Sequence, residues 1–178
     1  KSNIKIIYLH AKEIIQRLGD GTLDIGISGL DLLNESEKNL KDKIIIKKKL
    51  DFGGANLVVA VPDDWIDVQT IADLEEVAFD IRLRRNTRLR VATKYPNLTN
   101  SFLISKGVTQ YKLISSLGAT ETYPFIGSSE IITDITSTGK TLVDNNLRVL
   151  KDGLILKSTA CLFVAKKKRM ILKSFLSV

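Results

Sequence analysis

The chain contains one cysteine, Cys161, and one histidine, His10. A single cysteine cannot close an internal disulfide, and a single histidine cannot build a His-rich zinc site or serve a Ser-His-Asp triad unless it works alone. Zinc hydrolases and serine proteases are therefore poor descriptions. Aromatic residues make up only 6% of the chain and are scattered, so the stacking platform of a single-strand nucleic-acid binder is missing. No apolar run approaches the roughly 18 residues that a membrane span needs. The opening Lys1-Ser2-Asn3 lacks the basic start, apolar stretch and small-residue cleavage site of an export signal. We expect no membrane partner and a cytoplasmic location.

What is present is a hydrophobic fraction of 44% in 178 residues, enough to fill one large domain or two small lobes. Lys and Arg total 27 against 20 acidic residues, a formal net charge of +7, which favours anionic ligands. Nucleic acid, acidic membranes and small polyphosphates all satisfy that charge. With so few aromatics, a small phosphorylated ligand uses it best. The basic runs Lys47-Lys48-Lys49 and Lys166-Lys167-Lys168-Arg169 read most simply as solvated faces.

Short β-branched runs alternate with helix-period stretches, the pattern of an α/β chain. Strands are expected at Ile4 to Tyr8, Leu23 to Ser28, Ile44 to Leu50, Ala55 to Val61, Leu89 to Ala92, Tyr111 to Ile114, Ile131 to Ile135, Leu154 to Leu156 and Ala160 to Val164. Helices are expected from Ala11 to Leu18, after a Thr70 cap toward Ile81, from Leu98 to Lys106, from Thr141, and over the basic Lys166 to Leu176. The arginine-rich stretch Ile81 to Arg90 reads as a crossover into a second lobe. Cys161, on an apolar strand, reads as core.

The chemically informative segment is Thr133-Asp134-Ile135-Thr136-Ser137-Thr138-Gly139-Lys140-Thr141. It leaves a strand and enters a helix, so hydroxyls and backbone N–H groups gather at a helix start, where an anion is favoured. It is not a Walker loop, because only Gly139-Lys140-Thr141 matches the end of that motif. A carboxylate just before the loop, Asp134, suits the hydroxyls of a phosphorylated sugar. An ordinary capped strand-to-helix turn uses the same residue types. A second segment, Asp24 to Asp31, has a similar strand followed by Ser28-Gly29. There Gly29 allows close backbone approach and Asp31 is placed to hold a ribose or a metal-bound water, although glycine after a strand also serves as a plain turn residue.

Four segments in order resemble the catalytic subunit of the ATP phosphoribosyltransferase family, the first enzyme of histidine biosynthesis. They are Gly21 to Asp31, the strand pair Leu50 to Pro62, the element Ala92-Thr93-Lys94-Tyr95-Pro96-Asn97-Leu98, and Gly118 to Leu142. The resemblance implies two α/β lobes of the periplasmic-binding-protein type, type II-like, with a ligand cleft between them. The first would span residues 1–88 and 151–178, the second residues 89–150. It implies a glycosyl transfer with oxocarbenium character, joining N1 of the ATP adenine to C1 of 5-phosphoribosyl 1-diphosphate with release of diphosphate.

Matched position by position, the resemblance gives Ser137, Thr138, Gly139, Lys140 and Thr141, with Thr136, to the 5-phosphate and Asp134 to the ribose hydroxyls. Glu130 stands where relatives usually carry Asp, for ribose or a Mg²⁺-bound water. Gly29, Asp31, Thr93, Lys94 and Tyr95 would lie near ATP or diphosphate, with Lys94 and Glu121 as the catalytic candidates. Mg²⁺ would be carried mainly by the substrate. Relatives have Arg where this chain has His10-Ala11-Lys12, so Lys12 is the available substitute and His10 reads as a structural hydrogen-bonder. The family's opening strand and Lys-Gly-Arg element are not found before Ile4, and residues before Lys1 are expected to be missing. The length matches the short form, which works in a hetero-octamer with a regulatory subunit similar to histidyl-tRNA synthetase.

Two other classes make different predictions. A non-catalytic ligand-binding domain of the same bilobal fold would not need a phosphoribosyl loop, and fold alone does not fix function. A nucleic-acid binder would show steeply salt-dependent affinity, and no nucleic-acid motif is present.

Overall fold

The computed structural model describes residues 4–166. In chain order the elements are α1 (Ala11–Asp20), β1 (Ile25–Gly29), α2 (Leu30–Glu35), α3 (Lys38–Lys41), β2 (Ile44–Lys49), β3 (Ala55–Pro62), α4 (Ile71–Arg85), β4 (Leu89–Thr93) and α5 (Pro96–Ser105). They continue with β5 (Tyr111–Ser115), a 3₁₀ turn (Thr120–Thr122), β6 (Ile131–Thr136), α6 (Lys140–Asp144), β7 (Leu147–Ser158) and β8 (Ala160–Ala165). This is the mixed α/β composition expected from the alternating pattern.

The chain divides into two units, residues 1–53 with 159–178, and residues 54–158. In the first, three strands form a sheet in the order β1-β8-β2, with β8 antiparallel to both neighbours. Helix α1 buries Ile15 and Leu18, and these join Leu30, Leu33, Ile44, Cys161 and Phe163 in one core. Cys161 is core, as expected, and burial pushes its thiol up. Gly21 takes a left-handed conformation (φ 81°) and closes α1.

In the second unit a five-stranded sheet runs β5-β4-β6-β3-β7. Strand β4 is parallel to β5 and β6, while β3 is antiparallel to β6 and β7. Alternation along each strand sends side chains to opposite faces. One face packs Val59, Val61, Leu89, Val91 and Ile131 against Ile71, Leu74 and Ala78 of α4 and Leu103 of α5. The other packs Val58, Ala60, Ala92 and Ile132 against Leu142 of α6. The start of α4 is capped three ways. Thr70 and Asp73 form a reciprocal capping box, and Asp152 Oδ1 accepts the Ile71 N–H at 2.8 Å.

Several expectations change. Ile4 to Tyr8 is not a strand: it pairs with no neighbour among the described residues, and Ile4, Ile6 and Tyr8 are 73%, 76% and 94% exposed. His10 occupies the N-cap of α1 without a side-chain cap bond. The arginine-rich stretch is not a crossover. Arg82, Arg84 and Arg85 form the last turn of α4, where cations favour the helix dipole, and Arg90 lies in β4. The unit boundaries therefore fall at 53/54 and 158/159 rather than at 88/89 and 150/151. The reason is pairing: β3 hydrogen-bonds along β6 and β7, which ties residues 55–62 and the whole of β7 to the second unit. Lys47, Lys48 and Lys49 are exposed on β2. The expected basic helix at Lys166 to Leu176 lies, beyond Lys166, outside the described residues.

Candidate functional site

At the C-terminal end of β6 the chain turns through Ser137, Thr138 and Gly139 into α6. Gly139 sits at φ 76°, a conformation that costs about 1–2 kcal/mol for a residue with a Cβ. The Thr136 hydroxyl accepts the Gly139 N–H at 2.8 Å, and the Thr138 hydroxyl accepts the Lys140 N–H at 3.3 Å. The turn is thus held in a tight curl by its own threonines. Helix α6 is a single short turn, so any anion-attracting potential comes from the curled loop and Lys140 more than from an extended helix dipole.

The curl lines a recess of about 160 Å³ together with Asp134, Ile135, Ser137, Thr141, Leu142 and Glu121. Asp134 lies on the α6 face of the sheet and is 9% exposed. Its Oδ1 accepts the Ile135 N–H at 2.9 Å. Burial raises its carboxyl above the ordinary value. The Ile135 N–H and the Lys94 charge pull it back down, and the Glu121 charge adds to the rise. Asp134, Lys94 and Glu121 therefore form one electrostatic group beside the serine- and threonine-lined recess. Such an arrangement offers hydroxyls to phosphate oxygens and a carboxylate to sugar hydroxyls.

The structure brings together Glu121, Asp134, Thr136, Ser137, Thr138 and Thr141. Gly139 shapes the loop without lining the recess, and Lys140 is exposed beside it. Lys94 is exposed just beyond β4 and acts on Asp134 through its charge. Other expected contacts are placed differently. Thr93 is 1% exposed and its hydroxyl is bound to Thr99 and Thr133. Tyr95 is 7% exposed at the start of α5, with its N–H on Thr93 Oγ1. Both side chains are buried and neither lines the recess.

Glu130 is the clearest correction. It precedes β6, at the opposite end of that strand from the loop, about 13 Å along the backbone from Asp134 at a strand rise of roughly 3.3 Å. There its carboxylate accepts the Arg90 backbone N–H at 2.7 Å and the Arg90 guanidinium Nη2 at 2.6 Å. Burial pushes the Glu130 carboxyl up, but the Arg90 hydrogen bonds and charge outweigh it and leave the group below its ordinary value. Glu130 is an anchor for β4, not a wall of the recess.

Gly29 and Asp31 belong to the first unit. A Cβ on Gly29 would fall 2.3 Å from Asp31 Oδ1, so the space left by that glycine is filled by the Asp31 carboxylate, not open to a ligand. Asp31 itself is 6% exposed. Sequence reasoning missed Thr99 and Thr133 as polar core residues. The available signal was a threonine at an apolar position of its own element's period, Thr133 alternating with Ile131 and Ile135 on β6 and Thr99 one turn before Leu103 on α5.

A family model described as ATP phosphoribosyltransferase matches residues 10–176. An ATP phosphoribosyltransferase from Chelativorans sp. (strain BNC1) is 50% identical over 93% of this chain and 73% of its own length. One from Bradyrhizobium sp. (strain ORS 278) is 49% identical over 92% of this chain. The chain spans 50% of the length of that relative. Among solved structures, the ATP phosphoribosyl transferase (HisG:HisZ) complex from Thermotoga maritima superposes with a TM-score of 0.74 at 27% identity, over 95% of this chain and 73% of that one. The substrate-binding protein of an amino acid ABC transporter superposes at 0.59 with 16% identity, a likeness of fold alone. The order of motifs, the hydroxyl-lined loop after Asp134 and the match across nearly the whole chain agree: the chain belongs to the ATP phosphoribosyltransferase family.

Proposed function

We propose that this chain carries the phosphoribosyl-transfer chemistry of its family, joining N1 of the ATP adenine to C1 of 5-phosphoribosyl 1-diphosphate and releasing diphosphate. The observation that carries the reading is the curl Thr136 to Thr141 closing on a recess whose inner wall is Asp134. Ser137, Thr138 and Thr141 give hydroxyls to the 5-phosphate. Asp134 accepts from the ribose hydroxyls, holding the sugar so that C1 meets the attacking nitrogen in line. Lys94 stabilises negative charge that builds on the departing diphosphate.

Mg²⁺ fits this donor set. It commonly uses one or two carboxylates plus substrate phosphates, and Glu121 and Asp134 line the same recess. Bound there, the ion would neutralise the leaving group. The Thermotoga maritima relative is a complex of HisG with HisZ. That pairing supports a regulatory partner for this chain, and we propose a hetero-octamer with a subunit resembling histidyl-tRNA synthetase. No helix among the described residues is long and apolar enough to cross a membrane, and the substrates favour a cytoplasmic site of action.

The test is a coupled assay of the full chain with ATP, 5-phosphoribosyl 1-diphosphate and Mg²⁺, with and without the partner subunit, following the ultraviolet absorbance of the product. Product formation in either arm supports the reading. Absence of product in both, with diphosphate intact, refutes it.

A further inference from the structure

Three hydroxyls meet where β4, α5 and β6 converge. Thr133 Oγ1 donates to Thr93 Oγ1 at 2.7 Å, Thr93 and Thr99 Oγ1 lie 3.2 Å apart, and Thr99 and Thr133 Oγ1 lie 2.6 Å apart. Each hydroxyl has one proton to give and room to accept, so the bonds close head to tail as a ring: Thr133 to Thr93, Thr93 to Thr99, Thr99 to Thr133. Thr93 Oγ1 also accepts the Tyr95 N–H at 2.9 Å. None of the three residues is more than 1% exposed.

The chain of bonds goes further. The Thr93 carbonyl accepts the Ser116 N–H at 3.0 Å, and Ser116 Oγ lies 2.8 Å from Thr120 Oγ1. Ser116 is 5% exposed and Thr120 is fully buried. The positions matter. Lys94 immediately follows Thr93, Asp134 follows Thr133, and Glu121 follows Thr120. Asp134, and Lys94 and Glu121 whose charges act on it, are each one residue beyond a buried hydroxyl, those of Thr133, Thr93 and Thr120.

Apolar side chains would fill this space without burying hydroxyls that must all be satisfied. A satisfied polar network differs from apolar packing in that its bond lengths and directions admit one arrangement. We propose that this network sets the spacing of Asp134, Lys94 and Glu121, making Thr99 and Ser116 positioning residues for the site although neither lines it. The proposal rests on the transferase reading for its kinetic consequence, but not for the placement of the three charges.

Thr99 is the informative position because it sits on α5, off both strands that carry site residues. Valine keeps its methyl and loses the hydroxyl; serine does the reverse. In the full chain, with its partner subunit if that is needed for turnover, Thr99→Val should lower kcat/KM for 5-phosphoribosyl 1-diphosphate about tenfold, as expected of a modest misplacement. Thr99→Ser should restore most of the loss. Ser116→Ala, which cuts the arm to Glu121, should act in the same direction and serves if Thr99→Val folds poorly. A second readout needs no turnover: in crystal structures of the variants the separation of the Asp134 carboxylate from the Lys94 ammonium should change in Thr99→Val and return to the wild-type value in Thr99→Ser. An unmoved separation with unchanged kcat/KM, or valine performing better than serine, overturns the proposal. A wild-type chain that makes no product while the separation still responds to Thr99 removes the transferase reading and leaves the positioning role standing.

Discussion

Replacing Glu130 with alanine separates an anchoring role from a ligand-binding one. The change removes a two-point grip on the Arg90 guanidinium and the acceptor of the Arg90 backbone N–H. The Arg90 side chain is 39% exposed, so its guanidinium rehydrates and the lost ion pair contributes only about 1 kcal/mol. The stranded N–H adds about 1–3 kcal/mol. A total near 2–4 kcal/mol corresponds to a fall in Tm of roughly 4–16 °C for a chain of this size. KM for 5-phosphoribosyl 1-diphosphate should not change, because Glu130 lies at the far end of β6 from the recess. The Tm gap also depends on pH in a fixed direction. The wild-type carboxyl sits below its ordinary value, so its stabilisation is complete at neutral pH and is lost as acid protonates it. The wild-type and Glu130→Ala melting curves should therefore converge below the ordinary carboxylate range. Thermal melts across pH, paired with initial rates at varied substrate, decide the matter. An unchanged Tm with a raised KM would refute the anchoring argument and return Glu130 to the ligand.

Asp134→Asn should raise Tm at neutral pH while lowering kcat/KM about 100-fold or more, a size typical of a group acting directly at the reacting centre. The stability gain should vanish below the ordinary aspartate value, since a carboxyl raised by burial destabilises the fold only when ionised; a neutral-pH Tm that falls would contradict this. Gly139→Ala should cost about 1–2 kcal/mol from its left-handed backbone and raise KM for 5-phosphoribosyl 1-diphosphate, seen by melting and by initial rates, whereas an indifferent KM would mean the curl does not hold the ligand. Lys94→Met should shift the Asp134 titration upward, because the Lys94 charge lowers it, and an unmoved NMR titration would show the two are not coupled.

Much of the architecture is legible from periodicity alone. Strands β2 to β6 and helix α4 begin within a residue or two of where the apolar pattern and the Thr70 cap place them. The losses have physical causes. Strand β7 runs unbroken from Leu147 to Ser158, yet Lys151-Asp152-Gly153 looks like a turn. The strand absorbs that interruption by shifting register against β3 between Val58 and Ala60, which leaves Asp152 free to cap α4. Ile4 to Tyr8 has strand composition without a strand to pair with, and pairing, unlike composition, is not local. At the site, the loop from Asp134 to Thr141 is readable because turn chemistry is local. The Arg90 grip on Glu130 joins residues 40 apart in sequence. The resemblance carried Glu130 to the ligand as a position, whereas its partner could only be found in three dimensions.

The order β1-β8-β2 sets a timetable for folding. The two outer strands of that sheet do not pair with each other, and the strand that joins them comes last of the three in sequence. As the chain leaves the ribosome, β1 and β2 must wait for the strand between them until residues 160–165 emerge. In between, residues 54–158 are synthesised as one continuous stretch whose first and last strands are paired, Ala55 with Ser158. Domains generally fold as units during synthesis. Once this stretch has folded, its two ends are neighbours, and the long search that β8 would otherwise face shrinks to a short local step. The inserted unit thus acts as a clamp on the chain that surrounds it. Lesions that slow its closure should surface first as aggregation through the waiting edges of β1 and β2, far in sequence from the lesion itself.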